Sequence, residues 1–178
     1  MSALAIAPRM RPLTLGRQTR SVSSFGQKVD AWLSETGRNI GQAAQDWSDN
    51  IASALVEIFS ECSTEDWDGE GAKAVSVDTL AVATSVADLL FQYVPKSTPS
   101  PDVIPQHDGE IVLTWTRSPD LVFSVSVGSH KKLNYAGRFG AGVEPHGVER
   151  FDPSDPASIS HLASMVTRLF KEGIPSAG

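Results

Sequence analysis

PDVIPQHDGEIVLTWTRSPDLVFSVSVGSHKKLNYAG, residues 101–137, decides the fold. Apolar residues recur there at every second position: Ile111, Leu113 and Trp115 in one run, then Leu121, Phe123, Val125 and Val127 in the next. That is the period of a half-buried β-strand, whose successive side chains point to opposite faces. The runs are parted by D-G (108–109), R-S-P-D (117–120) and G-S-H-K (128–131). Such connections are too short for a parallel crossover, so the strands pair antiparallel as a meander. Asp108-Gly109 is the firmest turn signal, because both residues tolerate positive φ. Pro105 has no N–H for a ladder and puts the first strand, within 102–107, at a sheet edge.

The alternation also assigns the faces. Ile111, Leu113, Trp115, Leu121, Phe123, Val125 and Val127 belong inside, and Thr114, Thr116, Ser124, Ser126 and Asn134 outside, with Val112 and Val122 among them. KLNYAG (132–137) supplies a fourth strand, and a short fifth is expected near 147–151.

Outward from the sheet the period changes to that of a helix. Ser76 caps a run with Leu80, Ala83, Val86, Ala87, Leu90 and Phe91 on one side, and Pro95 stops it. On the C-terminal side, Asp155 caps and Pro156 opens a helix with the stripe Ile159, Leu162, Ala163, Val166, Leu169 and Phe170. Between Val29 and Cys62 a looser pattern, weakened by Gly37 and Gly41, predicts a broken helix to about 46. A firmer helix follows over 49–62, capped by Ser48 or Asp49. The expected fold class is α+β: an antiparallel four- or five-stranded meander with helices packed on one face. The expected division is a basic arm (1–28), an N-terminal helical segment (29–63), an α+β core domain (64–172) and a frayed tail (173–178).

Charge is unevenly spread. Residues 1–29 carry Arg9, Arg11, Arg17, Arg20 and Lys28 and no acid, which leaves 10 basic against 21 acidic residues in the remainder. The remainder should repel nucleic acid, so contact with it is expected only through residues 1–28. The same arm, rich in Arg and Ser, also has the composition of a transit peptide. No apolar run approaches the ~18 residues of a membrane-spanning helix. A lone cysteine, Cys62, forbids an internal disulfide and fits a reducing compartment.

TEDWDGEGAKAVS, residues 64–76, crowds four carboxylates beside two glycines and a tryptophan. It lacks the glycine and glutamate register of a calcium loop and the pattern of a phosphate loop. The physical expectation is an anchored turn: Trp67 buries its ring, Asp68 accepts backbone N–H groups, and Gly69 and Gly71 take conformations closed to other residues. No metal or cofactor is expected. The four histidines form no ligand or triad motif. His146 with Glu144, Glu149 and Arg138, in and beside the Gly-rich stretch, is the one cluster with a catalytic alternative.

WDGEGA, VSVDTL, PSPDVIPQHDGEIVLTW and LNYAG, in that order and spacing, resemble a set of small, largely uncharacterised bacterial proteins. Their hallmark is W-D-G-x-G-A, then P-x-x-D-G-E-I-x-L-x-W and Y-A-G. The resemblance covers about residues 64–170 and implies a cytoplasmic bacterial α+β protein with no established activity. It marks Trp67, Asp68, Gly69, Gly71, Ala72, Asp108, Gly109, Glu110, Trp115 and Tyr135, most of which turn geometry and packing explain.

The functional expectation is therefore a non-enzymatic protein-binding module, antitoxin-like or immunity-like. Its partner, another protein, would meet Thr114, Thr116, Ser124, Ser126 and Asn134 and a rim of Arg138, Glu144 and His146. The alternatives are a small enzyme built around His146 and nucleic-acid contact through the arm.

Overall fold

The computed structural model describes residues 45–140, 142–155 and 157–171. The basic arm, the tail and the first part of the 29–63 segment (29–44), where the broken helix was expected, lie outside them, as does Pro156. Helix α1 is described over 45–62 and is followed by α2 (Val77–Tyr93). Then come β1 (Asp102–Pro105), β2 (Ile111–Ser118), β3 (Leu121–Val127), β4 (Lys132–Phe139), β5 (His146–Arg150) and α3 (Ala157–Lys171). The strands form one antiparallel sheet in the order β1-β2-β3-β4-β5, with five members and β1 at an edge, where Pro105 requires it.

The inner face follows the alternation. Ile111, Leu113, Trp115, Phe123, Val125, Val127 and Leu133 are buried. Above them pack Trp47, Ile51, Leu55, Ile58 and Cys62 of α1, Val82, Ala83, Val86 and Leu90 of α2, and Ile159, Leu162, Val166 and Leu169 of α3. An aromatic line runs through this layer. Trp47 lies 5.1 Å from Phe91 and 6.3 Å from Trp115, Trp115 lies 6.4 Å from Phe123, and Phe123 reaches Tyr135 at 6.1 Å and Phe139 at 6.2 Å between ring centroids. These tilted pairs are in the favoured range for aromatic contact.

Two local expectations are corrected. Ser48 and Asp49 do not cap α1: both lie inside it, and Gln45 Nε2 donates to Asp49 Oδ1 at 2.8 Å one turn away. Trp47, 2% exposed and four residues before Ile51, is the reason. Burying its ring outweighs the few tenths of a kcal/mol by which Ser and Asp disfavour a helix interior, so the last described turn before residue 49 is helical too. Nor is the β1–β2 turn a two-residue turn with both residues at positive φ. Gly109 alone takes one, +84°, its N–H donates to Gln106 O at 3.0 Å, and the Gln106 N–H donates to Glu110 O at 2.8 Å. This is a three-residue loop, a type I turn closed by a left-handed glycine.

Ser76 caps α2 as expected, its Oγ accepting the Thr79 N–H at 3.1 Å, and the helix ends before Pro95. Thr79 and Val82 join its buried side, while Leu80 and Phe91 sit half-buried at the border. Asp155 accepts the Ala157 N–H at 3.0 Å at the start of α3. At the other end, a register shift between Thr116 and Ser118 leaves Arg117 out of the ladder. Its Nη1 donates to the carbonyls of Leu169 (3.3 Å) and Phe170 (2.6 Å), two of the carbonyls a helix end leaves unpaired.

Phe123→Ala should lower the unfolding free energy by about 3–5 kcal/mol, the cost of emptying a full aromatic site. Thr116→Ala on the other face should change it by less than about 0.5 kcal/mol. Urea titration of both variants checks the difference. Equal effects would mean the inner face is not the core.

Candidate functional site

The acidic loop is built on its own backbone. Asp66 adopts φ +61°, a region Asp and Asn tolerate better than most. Its N–H donates to Ala72 O at 2.7 Å, and its Oδ1 accepts the Gly71 N–H at 2.7 Å. Asp68 Oδ1 accepts from Glu70 N–H at 2.8 Å and Ala72 N–H at 3.1 Å, the expected Asx turn. Trp67 is half-buried, its Nε1 donating to Lys73 O at 3.1 Å. Two carboxylates of the cluster are therefore committed to N–H donors. Among the described residues, no group of three His, Cys, Asp or Glu side chains is placed to hold a metal ion.

This loop docks onto the β1–β2 turn. His107 Nδ1 donates to Asp68 Oδ2 at 2.9 Å, and the Lys73 N–H donates to His107 O at 2.9 Å. A side chain at Gly109 would stand 2.9 Å from Ala74 O, too close for any residue but glycine. The structure thus joins Trp67, Asp68, Gly69 and Gly71 to Asp108 and Gly109. Trp115 and Tyr135 lie elsewhere, on the inner side of the sheet, with Tyr135 standing over Gly147 where a Cβ would meet its ring. His107 was missed from sequence because its carboxylate partner is 39 residues away.

The open face gathers the other candidates. Asp102, Thr114, Ser124, Ala136 and His146 form one row across the five strands, and Ile104, Val112, Ser126, Asn134 and Val148 the next. Thr116, Val122 and Arg138 form a third. Thr114 and Ser124 share a hydrogen bond of 3.0 Å, and Ser126 donates to Glu110 Oε2, a contact the alternation alone does not show. At the rim, Arg138 stands 3.9 Å from Glu144 and 3.8 Å from Asp120. His146 Nδ1 donates to the Glu144 carbonyl at 3.2 Å. Arg138, Glu144 and His146, with Val122 and Ser124, edge a shallow depression of about 470 Å³. The face is more apolar than the central strands suggest, since Ile104 and Val148 on the edges are 44% and 64% exposed. Among the described residues no helix covers it.

Cys62 is buried, and that burial, then the neighbouring Glu61, pushes its thiol above the usual value, against use as a nucleophile. Comparison with known protein families, with curated proteins and with solved structures finds no match.

The Glu70 N–H, then the His107 ring and the Ala72 N–H, hold the Asp68 carboxyl below the usual range. The Ser154 hydroxyl and N–H do the same for Asp152. A lowered folded pKa contributes stability above the unfolded value, ~3.9, and loses it as pH falls through the lower folded value. The urea midpoint should therefore fall on acidification from about pH 5 downwards, and Asp68→Asn should flatten that fall. An unchanged acid slope in the variant would refute the assignment.

At Gly69 (φ +75°) and Gly71 (φ +89°) an added Cβ meets nothing within 4 Å, so only backbone strain opposes substitution. Gly71→Val should cost about 1–3 kcal/mol in urea titration. No loss would show that the loop relaxes freely.

Proposed function

We propose that this chain is a non-enzymatic protein-binding module that acts through the open face of its sheet. The observation that carries the reading is one-sided burial. The three described helices all pack on the inner face, and the outer face presents small hydroxyl residues, half-exposed valines and exposed Ile104 and Val148 inside a charged rim. A surface that mixes hydroxyl groups with exposed apolar side chains and a few charges has the composition of a non-obligate protein interface. Small-molecule sites are concave and enclose most of their ligand, whereas the depression beside His146 is shallow and open.

Catalysis at His146 has weaker support. Its described contact is with the Glu144 carbonyl, and the Glu144 carboxylate is turned towards Arg138. An antitoxin-like or immunity-like role suits a domain that works by covering another protein's surface. A cytoplasmic location accords with the single buried cysteine and with the resemblance to the bacterial set. In that set the W-D-G and D-G-E turns would dock as they do here. No described helix is long and apolar enough to cross a membrane.

Thr114→Arg with Ser124→Arg places two large cations in the middle of the face without touching the core. Capture from an extract of the native cells should retain a partner with the wild-type chain and lose it with the double variant, at equal melting temperature. Identical partners for two equally folded proteins would move the site off the sheet.

A further inference from the structure

We propose that β5 is a docking edge for an acidic, extended segment of a partner protein, which adds to the sheet as a sixth strand. The proposal rests on the reading of the chain as a protein-binding module and says how the partner is held.

Ladder parity shows which backbone groups are free. The Gly137 N–H donates to Pro145 O at 2.8 Å and the Phe151 N–H to Lys131 O at 2.8 Å. Mutually bonded pairs recur at every second position of an antiparallel ladder. Gly147 and Glu149 therefore bond to Tyr135 and Leu133, their register partners. His146, Val148 and Arg150 turn their N–H and C=O groups away from β4, and no described backbone bond reaches them from the other side. The opposite edge, β1, carries Pro105; β5 has no proline. An open edge of this kind is a template for another strand.

Charge selects the occupant. Lys132 and Arg150 are register partners in a non-bonded pair, the arrangement that brings side chains closest, and like charges placed so repel. Among the described residues neither makes an ion pair. Asp152 is near enough to feel Arg150 and Lys131, but its carboxylate bonds to Ser154. Lys131 precedes the pair in the chain, and His146 follows along the same face as Arg150. A second copy fits poorly: antiparallel pairing of β5 with itself about Val148 would set Arg150 against His146, and parallel pairing would set Arg150 against Arg150. A strand with carboxylates opposite Arg150 and His146, and an apolar residue opposite the exposed Val148, satisfies backbone, charge and apolar surface together.

The test is fluorescence anisotropy of a labelled peptide alternating glutamate and valine, titrated with the full chain, with a glutamine-for-glutamate peptide as control. Saturable binding is expected, about tenfold or more tighter than for the control. Val148→Pro removes an outward N–H and no ladder bond, so it should abolish binding while the fold stays. Lys132→Ser with Arg150→Ser should weaken binding about tenfold and leave the melting temperature equal or higher, since repulsion is relieved. Thr114→Arg with Ser124→Arg should not affect the peptide. Absence of saturable binding, or binding equal in Val148→Pro, overturns strand addition, as does sedimentation showing that β5 pairs two copies without peptide. A chain that ignores the peptide yet loses its cellular partner on the Thr114 and Ser124 changes would keep the face and discard the edge.

Discussion

The inner side chains of β2 and β3 cannot be left in water. Trp115, Phe123, Leu113, Val125, Ile111 and Val127 stand on one side of two adjacent strands, each worth about 1.5–3 kcal/mol when fully buried. An antiparallel sheet can satisfy this by covering one face and solvating the other. Each described helix answers that need. Trp47 extends the helical run of α1 over Trp115, Ser76 starts α2 where its stripe can reach the sheet, and Arg117 holds the end of α3. Since the described helices all pack on one side, the other is left uncovered among the described residues.

A second dependence links the two Gly-rich turns. The acidic loop and the β1–β2 turn are each stable geometries, but each is placed by the other through Asp68, His107, Lys73 and Gly109. Of the four carboxylates crowded there, those of Asp66 and Asp68 accept backbone N–H groups. One carboxylate oxygen of Asp68 serves its own turn and the other reaches across to the hairpin. This joins the entrance of α2 to the edge of the sheet.

Net charge is a poor guide to what meets such a surface. The whole chain carries −6, yet Lys131, Lys132, Arg138 and Arg150 all fall on β4, β5 or the turn before them. Screening at physiological salt acts over about 8 Å, so a docking segment responds to the charges beneath it and little to acids on the far helices. Steering and docking then have different electrostatics. Net charge governs the field at a distance, and the local β4–β5 charges govern the field at contact.

Local signals alone, periodicity together with turn length, the missing N–H of Pro105 and the hydroxyl of Ser76, determined the α+β class, the meander order, the inner residues of β2 and β3, the edge position of the first strand and the cap of α2. Each is decided by residues within a few positions of one another. What only the tertiary structure decided depends on residues far apart in the chain. Trp47 drew the turn before residue 49 into α1 through contacts with Phe91 and Trp115, and the nearness of Ala74 together with its own φ fixed Gly109 as the left-handed residue of a three-residue loop. His107 found Asp68 39 residues away. The opposition of Lys132 and Arg150, like the outward backbone of His146, Val148 and Arg150, follows from register, where a slip of one residue would exchange every face. A sequence states which residues alternate; the pairing of strands states what they face.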